Sequence, residues 1–189
     1  MSKSTTNTSV IEIIQQSPPI NTSDPYDPAW VAGKTILITG GASGFGEGFF
    51  RKWAEHGANV IIGDINDARG EALVSEVRGK TGNKNHHYIH CNVVDWQSQV
   101  DFFHKAVELS PTGGIDGVVA NAGIVEKPAS YAVPIGLDAD TPPKPNLKCF
   151  EVNLLGVLYT GHLAMFYLPR NPRSRKASPS SSPAAHTPG

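Results

Sequence analysis

The stretch Thr35–Gly48, TILITGGASGFGEG, decides the fold. Its opening run, Thr35–Ile38, carries no polar alternation, the pattern of a strand buried on both faces. Four glycines, Gly40, Gly41, Gly44 and Gly46, then crowd the step into a segment that reads as a helix. A loop that only had to turn would not need so many. Glycine has no Cβ, so backbone N–H groups can approach a ligand closely and φ can turn positive. A helix opening near Gly44 aims its first unpaired N–H groups, with about half a positive charge, at the same spot. Ser43 can add a hydroxyl donor. A plain turn with helix-packing glycines is the alternative. The place of the loop, after a first strand and before a helix, favours a phosphate cradle.

Outward from this stretch, strand and helix patterns take turns. Gly44–Gly57 reads as a helix, with apolar Phe45, Phe49 and Trp53 at helical spacing and Gly57 closing it. NVIIGD (59–64) is a second apolar strand. Residues 66–82 form a second helix, with Ala72, Leu73 and Val77 inward and Gly79 near its end. HHYIHCNV (86–93) is a third strand, and 95–110 a third helix with Val100, Phe103 and Val107 on one face. GIDGVVANAG (114–123) is a fourth strand ending in a small-residue turn. After a Pro-rich loop, residues 147–168 make a long apolar helix.

Such alternation implies right-handed βαβ units on a parallel sheet. The expected class is α/β, a doubly wound Rossmann-like sheet that stops after about four βα units. Its ligand belongs beyond the carboxyl ends of the strands. Residues 1–32, rich in Ser, Thr, Asn and Pro, are expected as an extended arm, with Val10–Ile14 a short ordered piece. Residues 169–189, rich in Ser and Pro, are expected as a disordered tail, leaving 33–168 as the domain.

The 189 residues suit one domain. A formal net charge of -1 offers no basic excess for nucleic acid. Cys91 and Cys149 lack CxxC spacing, so neither a disulfide framework nor a zinc site is expected, and a reducing compartment fits. The start, MSKSTTNTSV, lacks the flank and apolar stretch of a signal peptide. No apolar run is read as approaching a membrane span, and a soluble cytoplasmic protein is the expectation. His86, His87 and His90 beside Cys91 resemble a metal cluster at first sight. On a strand His86 and His90 face away from His87, and no carboxylate spacing helps, so no metal is expected and the histidines read as surface or edge-strand residues.

The spacing Thr39-Gly40-x-x-x-Gly44-x-Gly46 resembles the short-chain dehydrogenase/reductase family. ANAG (120–123), CNVVD (91–95) and FEVNLLGVLYTGHLA (150–164) resemble further motifs of that family in order and position. The resemblance covers about Gly33 to Leu168. It implies a nicotinamide dinucleotide cofactor and hydride transfer to or from a small-molecule alcohol or ketone. Around the phosphates it implicates Ile38, Thr39, Gly40, Ser43, Gly44, Phe45 and Gly46. Asp64, with Ile65 beside it, ends the second strand 24 positions after Gly40. A carboxylate there can accept hydrogen bonds from the adenosine ribose and repel a 2′-phosphate, which favours NAD over NADP by about 1–3 kcal/mol. Capping of the next helix is the alternative for Asp64. Asn92 and Val93 would flank the adenine, with a turn role open for Asn92. Asn121, Ala122 and Gly123 would let the backbone pass close to the nicotinamide ribose. In the family an Asn like Asn153 helps hold a water linked to the catalytic lysine; a buried Asn at a helix kink is the other reading.

The family's chemistry uses a Tyr and a Lys one helical turn later, sharing a face so that the ammonium lowers the Tyr pKa. Four residues after Tyr26, Tyr88, Tyr131, Tyr159 and Tyr167 stand Trp30, Asn92, Ile135, Leu163 and Asn171, so the sequence holds no Tyr-x-x-x-Lys. No strand follows the Asn153 helix to carry the family's Ser. The expectation is an oxidoreductase-like chain inactive by itself, the first part of a longer enzyme. Its fourth strand would leave an open sheet edge for an oligomer or partner. A non-catalytic nucleotide-binding module and a fragment that does not fold are the competing readings.

Overall fold

The computed structural model describes residues 27–125, 141 and 144–172. Four parallel strands form one sheet: β1 (Thr35–Thr39), β2 (Asn59–Asp64), β3 (His87–His90) and β4 (Gly117–Val119), in the order β3-β2-β1-β4. The chain winds outward from β1 to β3, then returns to the far side of β1 for β4. The strand order therefore reverses between β1 and β4, which opens a crevice at their carboxyl ends. Among the described residues β4 pairs with β1 alone.

Neighbouring side chains of each central strand point to opposite faces, and both faces are covered. On one side Ile36, Ile38, Val60 and Ile62 pack with Phe50 and Ala54 of α1 (Gly44–Glu55) and with Leu73, Val74 and Val77 of α2 (Asp67–Thr81). On the other, Leu37 and Ile61 pack with Phe102, Phe103 and Ala106 of α3 (Trp96–Leu109). Each such Val, Ile, Leu or Phe contributes about 1.5–3 kcal/mol by leaving water. That double coverage explains the uninterrupted apolar runs of β1 and β2.

Three helix faces differ from the sequence reading. In α1 the buried stripe is Gly46, Phe50 and Ala54, one position on from Phe45, Phe49 and Trp53. Phe45 is 84% exposed because its place at the start of the helix turns it toward the mouth of the crevice. In α2 Ala72 is exposed and Val74 is buried, and the helix runs past Gly79 to close on Gly82. In α3 Phe103 is buried as expected, but Val100 and Val107 lie at the margin of a stripe centred on Gln99, Phe102 and Ala106.

The last helix is continuous from Lys148 to Arg170. It comprises α4 (Lys148–Phe150), a π-helical turn (Glu151–Gly156), α5 (Val157–Tyr167) and a closing 3₁₀ turn. It docks on α3 through Leu163, and through Gln99, whose amide donates to the carbonyls of Val93 at 2.6 Å and Gly156 at 3.0 Å. The hydroxyl of Thr160 donates to Gln99 Oε1 at 2.8 Å. The expectation that no apolar run approaches a membrane span needs correction. This 23-residue helix, with an 18-residue window of mean hydropathy 1.2, is long and apolar enough to cross a membrane by length and composition alone, a test that the core helix of a soluble protein also passes.

Both ends of the domain also extend further than expected. Pro28–Val31 forms a 3₁₀ turn whose Val31 is fully buried in the α1/α2 core. Of the arm drawn at 1–32, residues 1–26, Val10–Ile14 among them, lie outside the described residues. Asn171, which the sequence reading put in the tail, is buried and donates to the carbonyl of Ile115 at 2.9 Å and to Asp116 Oδ1 at 2.8 Å. Residues 173–189 lie outside the described residues, as does most of the Pro-rich loop.

His86 is not a surface residue: it precedes β3 and is fully buried, edge-on to the ring of Phe50. Its Nδ1 accepts the Val60 N–H at 3.3 Å, which leaves the proton on Nε2 beside the Thr81 hydroxyl. Burial, with the charge of Arg78, pushes its pKa down to about 4. The unfolded chain therefore binds the proton first, and stability is lost as pH falls from about 6.5 toward about 4. Urea unfolding across this window is expected to show a loss of roughly 2 kcal/mol from this group. His86→Phe should flatten that part of the profile; an unchanged slope would show that His86 does not carry it.

Candidate dinucleotide cradle

A cavity of about 710 Å³ opens at the carboxyl ends of the strands. It is large enough for an extended small-molecule ligand. The glycine loop forms its floor. Gly40 and Gly41 donate their N–H groups to the carbonyl of Gly63, at 2.7 and 3.2 Å, tying the loop to the end of β2. The side-chain amide of Asn121 donates to the carbonyls of Thr39 and Gly40, both at 3.0 Å, tying it to the end of β4. The loop is thus held from both sides before α1 begins.

Two glycines have a specific reason, one conformational and one steric. Gly44 has φ +57°, a left-handed conformation that a Cβ penalises by about 1–2 kcal/mol. A Cβ on Gly46 would lie 2.2 Å from the carbonyl oxygen of Gly40, so only glycine lets α1 approach the loop this closely. Ser43 sits at the N-cap of α1 without capping the helix through its side chain. Ser43, Gly44 and Phe45, where α1 opens, line the cavity. This cradle, with its close backbone and a helix N-terminus, fits a pyrophosphate.

Asp64 sits at the wall. Its Oδ2 accepts the Ala42 N–H at 3.0 Å and its Oδ1 accepts the Asn66 N–H at 3.0 Å. Each carboxylate oxygen retains a second lone-pair direction for a ligand hydroxyl. Capping of α2, the alternative weighed for Asp64, falls instead to Asn66, whose Oδ1 accepts the Arg69 N–H at 3.1 Å. Ile65, Asn92 and Val93 line the same end, and Asn92 Oδ1 also closes a turn on the Val94 N–H at 3.3 Å. Asn121, Ala122 and Gly123 line the opposite end.

Four expected site residues do not reach the cavity wall. Ile38 is fully buried in the core beneath the loop. Thr39 is buried, and its hydroxyl oxygen accepts the N–H groups of Asn121 at 3.1 Å and Ala122 at 3.2 Å. Gly46 is taken up by the helix-to-loop contact. Asn153 lies in the π-helical turn, exposed rather than buried. It clamps one residue: Oδ1 accepts the Ile124 N–H and Nδ2 donates to the Ile124 carbonyl, each at 2.8 Å.

The cavity also has walls that sequence reasoning missed: Cys91, Val94, Ile124, Lys148 and Val152. Burial pushes the Cys91 thiol up to about 12, which keeps it an unreactive, protonated wall residue. Arg69, in the first turn of α2, was equally unforeseen as a loop contact. Its Nε donates to the Ala42 carbonyl at 2.6 Å and its guanidinium pairs with Glu47 at 3.0 Å. Among the described residues no group of three His, Cys, Asp or Glu side chains is placed to hold a metal.

The steric argument sets up a paired test. Gly46→Ala is expected to destabilise the chain by about 1–3 kcal/mol, as overpacking against backbone does. Gly48→Ala, two residues on in the same helix, meets nothing within 4 Å and should gain up to about 1 kcal/mol from helix propensity. Thermal unfolding of the two variants checks this, and equal melting temperatures would refute the close approach.

The comparisons agree with this geometry. Residues 34–177 match the family model for short chain dehydrogenases. The chain is 37% identical over 153 residues to the 5′-hydroxyaverantin dehydrogenase of Dothistroma septosporum, covering 77% of this chain and 49% of that protein. It is 34% identical to the NADP-dependent dehydrogenase clz5 of Cochliobolus lunatus, covering 78% of this chain and 50% of that one. In structure it resembles the 3-ketoacyl-(acyl-carrier-protein) reductase of Brucella melitensis solved with NADH, with a TM-score of 0.63, 26% identity, and coverage of 75% of this chain and 52% of that one. The chain thus spans about half the length of the relatives it matches. A parallel sheet wound β3-β2-β1-β4, a glycine cradle under the first helix and a family match over residues 34–177 lead to one conclusion: the chain belongs to the short-chain dehydrogenase family.

Proposed function

We propose that this chain is the dinucleotide-binding half of an oxidoreductase that passes hydride between a nicotinamide cofactor and an alcohol or ketone. The observation that carries the reading is the cradle itself: a helix N-terminus, the bare Gly44 backbone and the Ser43 hydroxyl around one cavity. The pyrophosphate rests on the start of α1. The adenosine ribose meets Asp64, and the adenine lies between Ile65 and the Asn92–Val93 corner. The nicotinamide end reaches Asn121, Ala122 and Gly123. Bound there, the nicotinamide supplies or accepts the hydride. Asn153 acts as a positioning residue, holding Ile124 and with it the strand end that the nicotinamide ribose passes.

The Asp64 carboxylate favours NAD, because it pairs with two ribose hydroxyls and repels a 2′-phosphate. Relatives named as NADP-dependent make that preference a point to measure. Proton transfer to the substrate oxygen falls to groups outside this sequence, since no Tyr is followed four residues later by Lys. The purified chain is expected to bind NADH, raising its melting temperature, because a ligand that binds only the native state stabilises it. It should show no oxidation of secondary alcohols with NAD⁺. A melting temperature that NADH does not move would sink the binding reading, and turnover by the chain alone would sink the division of labour. Asp64→Ser should weaken NADH by roughly tenfold or more in a fluorescence titration, the loss of charge-assisted bonds of about 1.5–3 kcal/mol.

A further inference from the structure

Arg69 and Asp64 bracket a single residue, Ala42, through its two backbone groups. The Ala42 N–H bonds to Asp64 Oδ2 at 3.0 Å, and the Ala42 carbonyl accepts from Arg69 Nε at 2.6 Å. The guanidinium therefore stands across the Ala42 backbone from the carboxylate that lines the cavity. It is a cation within a side-chain's reach of any 2′-phosphate held there, yet it is already engaged. Glu47 Oε2 takes Arg69 at 3.0 Å, while Glu47 Oε1 takes Arg51 at 2.9 Å. Arg51 in turn forks onto Glu76 with two bonds of 2.9 Å, and Glu76 holds Lys80 at 2.6 Å. The hydrogen bonds from Arg69 and then Arg51 hold the Glu47 carboxyl below the usual carboxylate range, so it stays charged.

We infer that Glu47 is a specificity-determining residue: it neutralises Arg69 and holds it on the Ala42 carbonyl, so that the adenosine end selects against NADP(H). The inference rests on the dinucleotide reading of the cavity. Asp64 supplies repulsion of a 2′-phosphate; Glu47 withholds a neighbouring cation that could answer it. Both arginine and phosphate are suited to forked, charge-assisted pairing, so a released Arg69 would serve a 2′-phosphate well. The Arg69 side chain is 56% exposed, which leaves it free to swing once Glu47 no longer holds it.

The test is fluorescence titration of the full chain with NADH and with NADPH at low salt. In Glu47→Gln the ratio of affinities is expected to move toward NADPH by about five- to tenfold relative to the starting chain, the scale of one charge-assisted contact. The gain should shrink as salt is raised, since an exposed cation is screened. It should vanish in the double variant Glu47→Gln, Arg69→Gln. A second variant keeps the idea testable if Glu47→Gln fails to fold. With Glu47 in place, Arg69→Ser should weaken both nucleotides alike by loosening Ala42, and leave their ratio within about twofold. An unmoved ratio in Glu47→Gln, or a selective loss of NADPH in Arg69→Ser, would overturn the inference while leaving the dinucleotide reading intact. Binding of neither nucleotide to the folded chain would overturn both.

Discussion

The contact between Gly46 and the carbonyl of Gly40 is the constraint on which the mouth of this sheet depends. It lets α1 begin directly above the end of β1, rather than a side chain's width away. From that position the helix N-terminus faces the crevice left where the strand order reverses. Gly63, Asn121 and Asp64 then hold the loop in this shape from the ends of β2 and β4. The cradle is a consequence of close packing between elements that are otherwise ordinary.

Charge is arranged around the same loop. Asp64 and Arg69 grip the N–H and the carbonyl of Ala42, and Glu47 answers Arg69 from the helix the loop opens. These groups come from β2, α2 and α1, so the loop's conformation and the electrostatics of the adenosine end are set together. Exposed ion pairs contribute little stability, about 0–1 kcal/mol each. Their value here lies in where they hold a charge.

Much of this was legible in the chain. The apolar runs of β1 and β2 and the crowded glycines were enough for the strand, loop and helix of the cradle, because burial on both faces leaves no room for polar residues. The family resemblance named Asp64, Ile65, Asn92, Val93 and Asn121–Gly123, and all of them line one cavity. What periodicity could not show was phase. In α1 the run Phe49-Phe50 offers two stripes, and the one chosen by packing is Gly46, Phe50 and Ala54, since a glycine in the stripe marks the close side. In the last helix the π-helical turn inserts a residue, so positions before and after it fall out of step and the segment reads as apolar all round. The roles of Arg69, Gln99 and His86 were equally hidden, because each is fixed by partners 20 or more residues away in the chain.

The return of the chain to β1 also orders its assembly in time. β1, β2 and β3 can pair through short crossovers, whereas the bond from Thr39 to the Val119 carbonyl joins residues 80 apart. Contacts of that separation carry a larger loop-closure entropy and form against a slower rate. The Asn121 bonds that steady the glycine loop can be made only after β4 arrives, and Gln99 can bridge to Gly156 only after the last helix docks. The cradle's framework is therefore built from the closer-range pairings, while its rigidity depends on the longest-range ones.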